Sequence, residues 1–278
     1  MSQTFSVRDT LEALYTESDG PSKPKFTASF ISTAGDKDKS QALYLLGGKA
    51  LWTKELEVAL KEKQVDLLVH CLKDVPTVLP EGCLIGAIME REDPGYVRRA
   101  AQLKRSYPHL EFLDVRGNFS MPADGPYAAL VLAKAGLVRV GFGHRITADL
   151  KPPTMLYAVS QALELCKQLT HRPTLRCLAE RECLRVLEGG CSVPVGVHSE
   201  LRGDVLKVTG CVTSLNGEEH IEHTIEEKVA SPEDAEEVGR SLAQVLVSIG
   251  AKKILDDINT ERDRRIVQAK AEDEVAAT

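Results

Sequence analysis

Two short segments carry side chains able to do covalent and acid–base chemistry. Leu187-Glu188-Gly189-Gly190-Cys191-Ser192-Val193-Pro194-Val195 sets a cysteine directly after two glycines. Over a hundred residues upstream, His70-Cys71-Leu72-Lys73-Asp74-Val75-Pro76-Thr77 sets a carboxylate beside a lysine. A thiolate can hold a group covalently. A fixed carboxylate can move protons or stabilise a developing cation. Each segment also has a plainer reading. A free cysteine behaves as a small apolar residue, and an exposed Lys–Asp pair contributes little.

The elements that must hold these residues are legible from spacing. Leu175, Leu178, Ala179, Leu184 and Leu187 fall near helical period, which leaves Arg176, Glu180, Arg181 and Arg185 for a wetter face. Gly189 and Gly190 end that helix, so Cys191 is expected on a loop, stiffened by Pro194. Val65 to His70 reads as a short buried strand, and Val75-Pro76 forbids its continuation. Lys73 and Asp74 are thus expected just past the strand's carboxyl end, where open α/β sheets place ligands. The other cysteines, Cys71, Cys83, Cys166, Cys177, Cys183 and Cys211, lie in apolar runs.

The rest of the chain reads as α/β followed by α+β. Phe26, Ala28 and Phe30 alternate on a strand, Leu51 to Lys63 forms a helix, and Ala128 to Ala133 forms a buried strand in a second α/β region. Glu90 to Gly95 reads as a crossing linker and Lys151-Pro152-Pro153 as a boundary. Val205 to Thr209 alternates, Asn216-Gly217 signals a tight hairpin, and a return strand runs from Ile221 to Val229. Ser231 with Pro232 starts a helix that turns Val238, Leu242, Val245, Leu246 and Ile249 inward. Residues 260–278 are charged and expected to fray. The domains expected are 1–94 with a return segment near 154–170, 95–153, and 171–260, followed by a tail at 261–278.

Composition narrows the class of function. With 278 residues the chain can build a substantial core. A net charge of −6 argues against a nucleic-acid surface, and no apolar run reaches membrane-span length. Seven cysteines without a paired framework or Cys-x-x-Cys fit reduced thiols and a cytoplasmic setting. His220 and His223 lack partners at zinc-like spacing and read as residues of a solvated strand, so no metal is expected.

Several motifs, in order, resemble those of the hydroxymethylbilane synthase (porphobilinogen deaminase) family. They are Ser32-Thr33-Ala34-Gly35-Asp36-Lys37, Trp52 to Glu57, Val65 to Pro80, Arg98 to Leu103, Val115-Arg116-Gly117-Asn118 and Glu188 to Val195. The similarity runs in register from about Thr10 to Asn259. It implies two domains like those of periplasmic binding proteins plus a smaller α+β domain carrying a cofactor cysteine. It also implies stepwise joining of four porphobilinogen units, with loss of ammonia, on a covalently attached dipyrromethane. By resemblance, Cys191 holds that cofactor, with Gly117 and Asn118 in a cofactor-facing motif. Asp74 is the matching catalytic residue, and Lys73, Arg98, Arg99, Arg116 and Arg145 bind substrate. The partner implied is a small molecule; neither nucleic acid nor membrane is implied, and a monomer is expected.

The implied chemistry suits these residue types. Losing ammonia from an aminomethylpyrrole leaves an azafulvene cation that a carboxylate can stabilise. Acetate and propionate groups on each unit call for arginines, which bind carboxylates bidentately and stay charged. Against the family pattern, the chain is short at four places. It opens at Met1-Ser2-Gln3 inside the family's first helix, and has only Gly95-Tyr96 between Pro94 and Val97 where the family carries several tens of residues. Phe119 to Gly125 replaces a helix start, and Ser160 to Glu164 shortens a glycine-rich segment. Three functions follow: an active synthase, a catalytically impaired shortened variant, or a non-enzymatic binder of small polycarboxylates. The pairing of Cys191 with Asp74 argues against the binder, which needs neither.

Overall fold

The computed structural model describes residues 2–13, 15, 24–31, 53–88, 97–112, 128–159, 171–187 and 193–276. Among them lie α1 (Ser2–Ala13), α2 (Lys54–Lys61), a 3-10 turn at Leu72–Asp74, α3 (Val97–Ser106), α4 (Lys134–Arg139), a 3-10 turn at Gly143–Arg145 and α5 (His171–Val186). They are followed by β1 (Val195–Arg202), β2 (Val205–Thr213), β3 (His220–Lys228), α6 (Pro232–Ser248) and α7 (Ala251–Ala276).

The three strands form an antiparallel sheet in the order β1-β2-β3. Val195 faces Val212 and Arg202 faces Val205 across the first pair; Val205 faces Lys228 and Thr213 faces His220 across the second. Gly217 turns the second hairpin at φ +83°, a region glycine enters without a Cβ penalty. Its amide donates to the Ser214 carbonyl at 2.9 Å. A capping box starts α6. Ser231 Oγ accepts from the Asp234 amide at 3.2 Å, and the Asp234 carboxylate accepts from the Ser231 amide at 3.0 Å. Helices α5 and α6 bury Ala179, Cys183, Val238, Leu242 and Leu246 in one core with Val195, Val197, Leu206, Val208 and Val212. At their crossing, Gly239 lies against the backbone of Ala179 so closely that an added Cβ would sit 2.0 Å from the Ala179 carbonyl oxygen.

Several expectations hold. The helix expected over 51–63 is α2, the alternating segment at Val205 is β2, the Asn216-Gly217 hairpin forms, and the Ser231 cap is in place. Others are corrected. Neither 26–30, 65–70 nor 128–133 enters a ladder. Apolar alternation supplies strand propensity, but a strand is stable only beside partners. Among the described residues these segments have none, and Phe30 and Leu67 are about half exposed. Residues 260–276, expected to fray, continue α7. Spaced ion pairs such as Arg264–Glu261 and Lys252–Asp256 support it. The linker at 90–95 lies outside the described residues.

Candidate functional site

Asp74 ends the 3-10 turn Leu72–Asp74, one step past the Val65–His70 segment. The turn is closed by its own backbone: the Asp74 amide donates to the Cys71 carbonyl at 2.9 Å and the Val75 amide to Leu72 at 3.2 Å. Leu72 anchors it as a buried side chain, 5% exposed. Lys73 and Asp74 stay partly open, with Lys73 Nζ 3.8 Å from Asp74 Oδ2. At that separation and exposure the pair adds little stability, and the carboxylate is partly exposed.

A second grip comes from α5. Arg181 is buried, 8% exposed. Its Nη1 donates to the carbonyls of Leu72 at 3.5 Å and Val75 at 3.2 Å, and its Nη2 to that of Pro76 at 2.6 Å. The sequence placed Arg176, Glu180, Arg181 and Arg185 on a wet face. The structure corrects this for two of them, because α5 is enclosed by α6, by β1 and by the Asp74 turn. Glu180 is fully buried and accepts from Ser199 Oγ, which in turn accepts from Arg176 Nε at 3.2 Å. Glu182, also buried, meets Arg185 and Arg240. The hydrogen bond from Arg185 leads the causes that hold its carboxyl below the usual range, with Arg240 contributing. Helical spacing sorted apolar from polar but could not tell polar-and-wet from polar-and-bonded.

Helix α3, which carries Arg98 and Arg99, docks on the same C-terminal unit. Buried Gln102 clasps a backbone: its Oε1 accepts from the Leu156 amide at 2.7 Å and its Nε2 donates to the Leu156 carbonyl at 3.2 Å. The next residue, Tyr157, bridges Val197 of β1, exchanging hydrogen bonds of 2.8 and 2.6 Å. At the far end of α3, Gly217 of the β2–β3 hairpin sits against the Arg105 amide, where a Cβ would come to 2.6 Å. Lys104 Nζ reaches the Leu215 carbonyl at 3.4 Å. Gln102 and β1 were both missed in the sequence. The alternation of Val195, Val197 and Ser199 was the signal for β1.

The remaining candidates divide sharply. The side chains of Arg98 and Arg99, and all of Arg116, Gly117, Asn118 and Cys191, lie outside the described residues. Arg145 belongs to its own turn, its guanidinium 5.8 Å over the Phe142 ring. The described residues on either side of 188–192 are both buried: Leu187 is 4% exposed and Val193 2%. Three thiols are closed to chemistry. Cys177, Cys183 and Cys211 are buried, and desolvation is the largest cause pushing Cys183 and Cys211 up to about 12. Such thiols stay protonated and unreactive.

Residues 1–97 and 95–168 match the family described as "Porphobilinogen deaminase, dipyromethane cofactor binding domain", and residues 174–248 match "Porphobilinogen deaminase, C-terminal domain". The chain belongs to the porphobilinogen deaminase family. A porphobilinogen deaminase of Yarrowia lipolytica is 42% identical over 282 positions, covering 83% of this chain and 83% of the relative. One of Synechococcus sp. RCC307 is also 42% identical, covering 83% and 86%. One of Nostoc sp. is 37% identical, covering 94% and 92%. The Yarrowia alignment, at 282 positions, is longer than the whole chain of 278 residues, so that relative carries residues this chain lacks. The first family match breaks at residues 95–97, where the sequence is shortest against the pattern. The described helices and small sheet, with this membership, place the chain in the α/β class.

The family's dipyrromethane needs cationic groups for its carboxylates and one reactive thiol. The described residues fit at two points. Lys73 and Asp74 project partly open from a held turn, and three of the cysteines are buried too deeply to compete for attachment.

Proposed function

We propose that this chain is a hydroxymethylbilane synthase, a transferase that joins four porphobilinogen units into a linear tetrapyrrole of porphyrin and heme biosynthesis. Family membership disfavours a simple polycarboxylate binder. One observation carries the reading to the site. The helix that ends at Val186, shortly before Cys191 in sequence, also grips, through Arg181, the turn that presents Asp74. The Asp74 turn is thus tied to the helix that precedes Cys191 in sequence.

Attached at Cys191, dipyrromethane supplies the primer from which the pyrrole chain grows. Asp74 lies beside the pyrrole nitrogen of the incoming unit. As the C–N bond to the leaving amine breaks, its carboxylate stabilises the cation that develops. The proton that leaves with the ammonia would come from the protonated form of Asp74, and the carboxylate left behind would take one proton back once the new C–C bond has formed. Lys73, Arg98, Arg99, Arg116 and Arg145 bind the acetate and propionate groups, and Gly117 and Asn118 let backbone approach the cofactor. The chain acts as a cytoplasmic monomer. Two binding-protein-like α/β domains, the second shortened, enclose a cleft, and the third domain carries the cysteine.

Two measurements test this. Intact mass of the purified protein should show a covalent addition the size of a dipyrromethane, mapped by digestion to Cys191. Modification at Cys177 or Cys183 with Cys191 free would refute the assignment. Asp74→Asn should cut kcat by the equivalent of about 3 kcal/mol in the barrier, with KM little changed. If Asp74 only pairs with Lys73, the change costs under about 1 kcal/mol.

A further inference from the structure

Three contacts take Arg181 across to the Asp74 turn, and all three are to main-chain carbonyls. These carbonyls belong to Leu72, Val75 and Pro76, and so flank Lys73 and Asp74 on both sides. The guanidinium's planar fork suits this task, since it offers several donors in fixed directions. A short 3-10 turn held only by its two internal hydrogen bonds would move easily. Fixed from behind by a helix that is itself locked between α6 and β1, it cannot. The side chains of Lys73 and Asp74 are left partly exposed.

We infer that Arg181 is a positioning residue for catalysis: it holds the Asp74 turn fixed against α5 without touching substrate. This rests on the reading of Asp74 as the catalytic carboxylate. Displacing a catalytic group by about 1 Å can slow an enzyme by about 100-fold. Removing Arg181 should therefore act on kcat and leave substrate affinity largely intact.

The test compares Arg181→Met, Arg181→Lys, Asp74→Asn and the Arg181→Met/Asp74→Asn double variant as purified, cofactor-loaded enzymes. Arg181→Met keeps the length and removes the donors. Arg181→Lys keeps the charge and loses the fork. Both should load the cofactor by intact mass and retain parental near-ultraviolet circular dichroism. For Arg181→Met, kcat should fall about 100-fold with KM within about twofold. Amide hydrogen exchange in the peptide spanning residues 71–77 should quicken about tenfold. Arg181→Lys should recover only part of the rate. In the Asp74→Asn background, Arg181→Met should slow turnover by less than about threefold more, because both act through one group.

Near-parental turnover of Arg181→Met beside an impaired Asp74→Asn overturns this inference alone. Near-parental turnover of Asp74→Asn overturns the reading beneath it as well. Activity lost in proportion to unfolded protein in both Arg181 variants makes the residue merely structural, and loss of the cofactor's mass makes it act on the thiol loop. Either result also overturns the inference.

Discussion

The C-terminal unit, from α5 through α7, and the N-terminal elements reach order by different routes. The first is a meander of consecutive antiparallel strands closed by a capped helix, with every pairing short in sequence. Its core also takes in Val159, from before α5. The N-terminal elements are short helices and turns, and Val78 and Leu84 stand 70% and 81% exposed. Yet the N-terminal elements carry Lys73, Asp74, Arg98 and Arg99. They dock through Arg181, through Gln102 on Leu156 beside the β1-paired Tyr157, and against the Gly217 hairpin.

The comparison breaks most completely at Gly239. Alanine there would place its Cβ 2.0 Å from the Ala179 carbonyl oxygen, and a backbone atom cannot move aside without parting α5 from α6. Gly239→Ala should destabilise the protein by about 3 kcal/mol in urea unfolding, as overpacking does, and abolish activity with the fold. A fully active, parental-stability variant would show that the two helices do not cross this closely.

Gln102→Leu sharpens the contrast. It removes both hydrogen bonds to Leu156 and leaves a buried amide and carbonyl unpaired, at about 2 kcal/mol. The sheet should persist by circular dichroism while protease cleavage rises around α3. Loss of the sheet together with α3 would instead make the two regions one cooperative unit.

The smallest effect is a pH dependence confined to the C-terminal unit. Glu182 is held below its unfolded value, first by its hydrogen bond from Arg185, with Arg240 contributing. Its folded carboxyl binds a proton less readily than the unfolded one. The stability it contributes is therefore full above the unfolded carboxylate range of about 4.3 and is lost as pH falls through the lower folded value. Glu182→Gln should reduce stability at neutral pH by about 1 kcal/mol and flatten this part of the acid limb. An unchanged slope between neutral and acid urea titrations would remove Glu182 as its source.

What was legible in the sequence follows the same division. The β2–β3 hairpin, the Ser231 cap and the inward Val238, Leu242 and Leu246 of α6 rest on local rules, so residue identity was enough; Ile249, expected inward, is instead the C-cap and 50% exposed, because the helix ends before it can turn that side chain to the core. The strands expected at 26–30, 65–70 and 128–133 carried the right pattern, but pairing depends on partners distant in the chain, and pattern cannot supply those. Arg181 and Gln102 were invisible for another reason. Each is a polar residue buried against a backbone more than fifty positions away, and no periodicity marks a carbonyl as needing a donor. Of the candidate site, Asp74 sits on the turn that its motif suggested, while what holds that turn came only from the fold.

The span between Arg181 and the carbonyls it grips, 105 to 109 positions, also has a meaning in time. A ribosome adding about 5–20 residues per second leaves the Asp74 turn roughly 5–20 s ahead of the arginine that fixes it. Throughout that interval the nascent chain holds the Asp74 carboxylate on an unsecured turn, beside apolar side chains with nothing yet to cover them. Chaperone demand during synthesis should therefore peak before α5 is made and fall once it has docked.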